Sequence, residues 1–127
     1  MAIEPQYTGQ AFLPNAAAPA SILVAEDPFV STFLRTVLKR HGHRVVLGQA
    51  ARSSELLRRG DIAADLVITN RPEEFLDFAA DIHLLYISAA PDYELASRFR
   101  TCDVLRKPFH NDELLRAVEH LIQTVVP

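Results

Sequence analysis

The chain is poor in the features that most quickly assign a function. It has one cysteine, Cys102, which excludes an internal disulfide and suits a reducing compartment. No apolar run approaches the ~20 residues needed to cross a bilayer. No lysine or arginine precedes Arg35, which excludes the basic start of a secretory signal. Nor is there an excess of positive charge. The formal net charge is -3 and the basic residues read as interspersed with acids, so no general attraction to nucleic acid or anionic membrane follows. No internal repeat or interdomain linker is visible. These absences lead us to expect a cytoplasmic protein that binds neither nucleic acid nor membrane.

What is present fits one small domain. The 127 residues, 49% hydrophobic and 23% charged, are enough to bury a real core. Residues 1–20 stand apart: they hold three of the eight prolines and the run Asn15-Ala16-Ala17-Ala18-Pro19-Ala20, without a sustained amphipathic period. We expect a flexible tail there and a folded domain over residues 21–127.

From Ser21 onward, short apolar runs alternate with helical periods. Ile22-Leu23-Val24-Ala25 reads as a strand buried on both faces of a parallel sheet, and Val45-Val46-Leu47, Leu66-Val67-Ile68-Thr69, Leu84-Leu85-Tyr86-Ile87 and Val104-Leu105 read as the second to fifth strands. Asp27 is placed to cap a helix with Pro28 at its first position. That helix carries Val30, Phe33, Leu34, Val37 and Leu38 at helical spacing and ends at Gly42. Shorter helices are predicted from Ser53 to Arg59, Pro72 to Ala80 and about Pro91 to Arg100. Asn111 is expected to cap the last helix, whose stripe is Leu114, Leu115, Val118, Leu121, Ile122 and Val125. The alternation predicts an α/β fold with helices on both faces of the sheet.

Four strand ends carry the chemistry. Glu26-Asp27, Thr69-Asn70, Ser88-Ala89 and Lys107-Pro108 each close a predicted strand, and sites in such sheets form beyond those ends, where strand order reverses. An acidic pair, a hydroxyl and a lysine are the parts of a pocket that phosphorylates an aspartate. In the place of that aspartate the chain has Asn70, and a carboxamide cannot be the carboxylate nucleophile of an acyl phosphate. Plainer roles stay open: Asp27 as a helix cap, Asn70 as a turn residue, Ser88 as a loop start, and Lys107-Pro108 as a cis peptide. His41 and His43 flank the helix-ending Gly42, where cations suit the helix dipole better than a metal site does.

These residues, in this order, resemble the receiver domain of bacterial two-component response regulators over residues 21 to about 124. Ile22-Leu23-Val24-Ala25-Glu26-Asp27-Pro28 is similar to the family's first strand and acidic pair, Asp65-Leu66-Val67-Ile68-Thr69-Asn70 to its third strand, Ile87-Ser88-Ala89 to its hydroxyl position, and Leu105-Arg106-Lys107-Pro108-Phe109 to its lysine-proline. The resemblance implies a flavodoxin-like fold with strand order 2-1-3-4-5. It makes Asn70 the inactive phosphoacceptor equivalent, Glu26 and Asp27 a vestigial acidic pocket, Ser88 and Lys107 the phosphate-contact equivalents, and Val104 the equivalent of the switch aromatic. It also implies a partner face on the fourth helix, fifth strand and fifth helix, here Leu95, Arg98, Phe99, Val104, Arg106, Glu113 and Arg116.

Departures from the family go beyond Asn70. Eighteen positions separate Asn70 from Ser88, about three helical turns fewer than is typical of the family. The third helix is therefore expected to be stunted, and Val104 cannot couple to Ser88 as an aromatic would. We expect a degenerate receiver, or pseudoreceiver: not an enzyme, without a cofactor, and with magnesium weak or absent because Glu26 and Asp27 are the only candidate ligands. Its partner is expected to be a histidine kinase, another response regulator or a second copy, acted on in trans because no output domain follows Pro127. The alternative is a small-ligand or metal sensor built on Glu26, Asp27, Ser88 and Lys107.

Overall fold

The computed structural model describes residues 20–123. The expected tail lies outside the described residues except for Ala20, and Val125 lies outside them too. Ala20 belongs to the domain: it is buried, its N–H donates to His43 Nδ1, and its carbonyl accepts from Arg44 N–H. His43 is thus an acceptor held neutral, its pKa lowered by burial and by His41, and not the cation expected beside Gly42.

In chain order the elements are β1 (Ser21–Ala25), α1 (Pro28–Arg40), β2 (Arg44–Leu47), α2 (Ala50–Arg58), β3 (Leu66–Thr69), a 3₁₀ helix (Pro72–Phe78), β4 (His83–Ser88), α3 (Tyr93–Ala96), β5 (Thr101–Arg106) and α4 (Asn111–Gln123). All strand pairings are parallel, in the order β2-β1-β3-β4-β5. No described helix is long and apolar enough to cross a membrane.

The period of two along each strand divides the core. Ile22, Val24, Leu66, Ile68, Leu85 and Ile87 point to one face, where Leu34, Val37 and Leu38 of α1 and Leu114, Val118 and Leu121 of α4 cover them. Leu23, Val67, Leu84 and Tyr86 point to the other, packed against Ala50 of α2, Phe75 of the 3₁₀ helix, and Ala96 and Phe99. Each large aliphatic or aromatic side chain so buried contributes roughly 1.5–3 kcal/mol. This two-sided burial is why the central strands β1, β3 and β4 are apolar without alternation, whereas β2 at the sheet edge leaves Val46 52% exposed.

Local rules set most boundaries. Asp27 Oδ1 accepts from the N–H groups of Phe29 and Val30 at 3.1 Å, with Pro28 in the first turn. Gly42 leaves α1 with φ +88°, a conformation an L side chain resists. Four expectations are corrected. The segment after β3 is 3₁₀ and stops at Phe78: few residues must carry Phe75 into the core and still reach β4, and 3₁₀ geometry covers more length per residue. The helix predicted to Arg100 stops at Ala96, because the chain must turn Phe99 inward and enter β5 at Thr101. α2 begins at Ala50, not Ser53. Asn111 is the first residue of α4 and not its cap. The cap position is His110, whose carbonyl accepts from Leu114 N–H and whose N–H donates back to Glu113 Oε1 at 2.8 Å.

Candidate functional site

β1 lies between β2 and β3, so the strand order reverses at the β1–β3 pair and the loops leaving these strands part. A cleft of about 660 Å³ opens there. Its walls are Glu26, Asp27, Asn70, Arg71 and Glu74 together with the first turns of α1 and α2. Thr69 shapes its floor: the hydroxyl donates to Ala25 O at 2.8 Å and accepts from Arg71 N–H at 2.9 Å, tying the two strand ends and turning the chain just after Asn70.

The acidic pair is split in role. Asp27 caps α1 and is exposed. Glu26 is buried. Its Oε1 accepts from Asp27 N–H at 3.1 Å and from Lys107 Nζ at 3.5 Å. Its Oε2 lies 3.3 Å from Nζ, within range of charge attraction, yet receives no hydrogen bond. Burial raises the Glu26 pKa above 4.5, opposed first by the Asp27 N–H and then by the Lys107 charge.

Lys107 reaches Glu26 from a loop shaped by the cis Lys107–Pro108 bond. Its own N–H donates to Ser88 O at 2.9 Å. Ser88 Oγ accepts from Ala90 N–H at 3.1 Å, a bond within its own turn. Neither Ser88 nor Lys107 lines the cleft that holds Glu26, Asp27 and Asn70. Of the four residues of the expected sensor pocket, this cleft is lined by Glu26 and Asp27 alone.

The donor set does not fit an octahedral magnesium ion. Glu26 is paired with Lys107, one Asp27 oxygen is taken by helix N–H groups, and Asn70 offers a neutral amide. Among the described residues no group of three or more His, Cys, Asp or Glu could hold a metal. At Cys102 burial, helped by Asp103, pushes the thiol up to about 11, which disfavours the reactive thiolate.

Sequence reasoning missed Tyr86. It is buried, sits in register beside Val104, and its Oη accepts from Asp92 N–H at 3.1 Å. Asp92 in turn caps α3 through Leu95 N–H. A tyrosine on β4 thus holds the loop that leads into α3. The available signal was a hydroxyl-bearing aromatic among the aliphatic Leu84, Leu85 and Ile87.

The expected partner face is only partly available. Arg98, Arg106, Glu113 and Arg116 are exposed, and Leu95 and Val104 are half-buried. Phe99 is 5% exposed and packed in the core, so it is withdrawn from that face. Glu113 is engaged at the start of α4, Arg98 pairs with Glu94, and His120 Nδ1 meets Asp103 Oδ2 at 2.9 Å to join α4 to β5.

No family model matches the chain, and no curated protein matches it by sequence. Solved structures do. NtrX from Brucella abortus, in complex with ADP, matches with a TM-score of 0.71 and 20% identity, over 84% of this chain and 27% of that one. A response regulator receiver protein from Sinorhizobium medicae WSM419 matches with a TM-score of 0.68 and 21% identity, over 83% of this chain and 95% of that one. The fold is that of a response-regulator receiver domain. The chemotaxis response regulator CheY4 of Vibrio cholerae gives 0.66 and 20%, over 82% of this chain and 99% of its own. Identities this low speak for the receiver fold alone, and its chemistry has to be argued from the residues above.

Proposed function

We propose that this receiver-fold chain is a pseudoreceiver, a signalling module that acts by binding another protein and not through an aspartyl phosphate. Asn70, in the cleft with Glu26 and Asp27, carries this reading. Forming an acyl phosphate requires a carboxylate oxygen to attack phosphorus as the donor's leaving group departs, and a carboxamide offers no such nucleophile. The neighbouring groups support it. Lys107, which would pair with phosphate oxygens, is engaged with Glu26, and the Ser88 hydroxyl serves its own turn. The next carboxylates in the chain, Glu73 and Glu74, pair with Arg71. On this reading the chain is not an enzyme, needs no cofactor, binds magnesium weakly or not at all, and works in the cytoplasm on a partner such as a histidine kinase or another response regulator.

Acetyl phosphate with magnesium should leave the intact mass unchanged. A phosphoryl adduct removed by hydroxylamine would overturn the reading. Asn70→Asp should accept phosphate slowly at most. Its beryllium fluoride complex should leave sedimentation unchanged, whereas broad amide shifts across residues 91–109 with tighter self-association would show an intact switch.

A further inference from the structure

The apolar arc of α4 is wider than the sheet covers. Leu114, Val118 and Leu121 are buried, but Leu115 and Ile122, seven positions apart on one side of the helix, are only half-buried. With Val118 they line a cavity of about 430 Å³, whose other wall includes His41 and His43 between α1 and β2.

The chain enters the domain at this cavity. Ala20 N–H donates to His43 Nδ1 at 3.2 Å, and Ala20 belongs to the same core cluster as Val118 and Leu121. Whatever precedes Ala20 therefore starts at the cavity wall. Residues 1–19 suit it in composition: they carry one charged side chain, Glu4, and the large apolar or aromatic Ile3, Tyr7, Phe12 and Leu13. Between Leu13 and Ala20 stand Pro14-Asn15-Ala16-Ala17-Ala18-Pro19. Five of these six are alanine or proline, which lose no side-chain freedom on ordering. Reach is sufficient. Seven extended residues span at most ~25 Å, and Ile122 to Leu115 is ~10 Å along α4.

We propose that Phe12 and Leu13 fold back into this cavity and pack on Leu115, Val118 and Ile122, which makes the N-terminal segment an intramolecular ligand of α4. Tethering selects this occupant. Side chains joined to the cavity by so short a linker face it at roughly millimolar effective concentration, well above a free partner at micromolar levels. Charge agrees. The rim mixes Arg116 with Asp112 and Glu119, so it favours neither a strongly acidic nor a strongly basic partner, whereas the segment is nearly uncharged. While seated, the segment shuts this flank of α4 to other proteins. The inference goes beyond the pseudoreceiver reading and does not depend on it.

The test is nuclear magnetic resonance of the full chain. Expected are nuclear Overhauser contacts from the Phe12 ring and Leu13 methyls to the methyls of Leu115 and Ile122. Order parameters over residues 12–19 should lie near the ~0.85 of rigid backbone. Phe12→Ser/Leu13→Ser should abolish the contacts, lower those order parameters below ~0.6 and shift the Leu115, Val118 and Ile122 methyls, with strand amides unchanged. Ile122→Ser attacks the same contact from the wall and should release the segment in the same way. Where it disturbs folding, the first variant still decides, since it leaves the sheet and its helices untouched. A mixture of labelled and unlabelled chains should show no contacts between chains. Order parameters below ~0.6 in the native chain, contacts to another face, contacts only between chains, or a segment still ordered in Phe12→Ser/Leu13→Ser would each overturn the proposal.

Discussion

Lys107→Met tests what holds the pocket in its present state. Methionine keeps most of the methylene stem and removes the charge. In the native chain Nζ lies 3.3 Å from Glu26 Oε2, with the Glu26 side chain fully buried. At an effective dielectric of ~20, two unit charges at that distance attract by about 5 kcal/mol. Desolvation offsets most of that, and Lys107 remains partly in water, so we expect a net loss of roughly 1–3 kcal/mol at neutral pH. The sign with pH follows from Glu26. Its folded pKa is raised above 4.5, so the stability that the protonated form contributes is full below about 4.5 and is lost as pH rises through the folded value. Removing Lys107 raises that folded value further. The penalty should therefore be small at about pH 4 and reach its full size near pH 7. Urea unfolding at both pH values reads it as a shift in midpoint at constant slope. Glu26→Gln should be as stable as the native chain or more so at neutral pH, and the double variant should lie within about 1 kcal/mol of it. A Lys107→Met cost that does not change with pH, or a double variant as damaged as the single one, would refute the electrostatic account.

Tyr86→Phe removes the acceptor for Asp92 N–H. It should cost about 1 kcal/mol and speed hydrogen exchange at Asp92 and Leu95, while β4 amides stay protected. Unchanged exchange there would remove the tyrosine from its role in the loop. Gly48→Ala would set a methyl group against Ser53 Oγ, in a spot where Ser53 is buried. We expect a loss of roughly 1–3 kcal/mol, largely recovered in Gly48→Ala/Ser53→Ala, which removes the clashing hydroxyl and keeps a helix-forming residue in α2, and thermal unfolding of the single and double variants checks it.

The sequence alone determined the strands, their order of use and the residue types at each strand end. Apolar runs flanked by polar ends have few folded solutions other than a covered parallel sheet. The Asp27 cap was legible for the same reason, since its partners are two and three residues away. Contacts between distant residues were not legible. Glu26 and Lys107 are 81 positions apart and meet across the strand ends of β3 and β4. Only that meeting makes Glu26 a buried, neutralised group instead of a free pocket acid. Two phenylalanines likewise took places that pattern could not assign. Phe99 was expected at the surface and is in the core, because α3 ends before reaching it. Phe33, placed by its spacing on the buried stripe, is partly exposed beside Phe29, because the arc of α1 that meets the sheet is already filled by Ser31, Leu34, Val37 and Leu38. Periodicity says which residues share a side of a helix, and only packing against the sheet decides which side is buried. Coulomb and desolvation energies depend on distance and burial, which belong to the folded chain and not to a residue type.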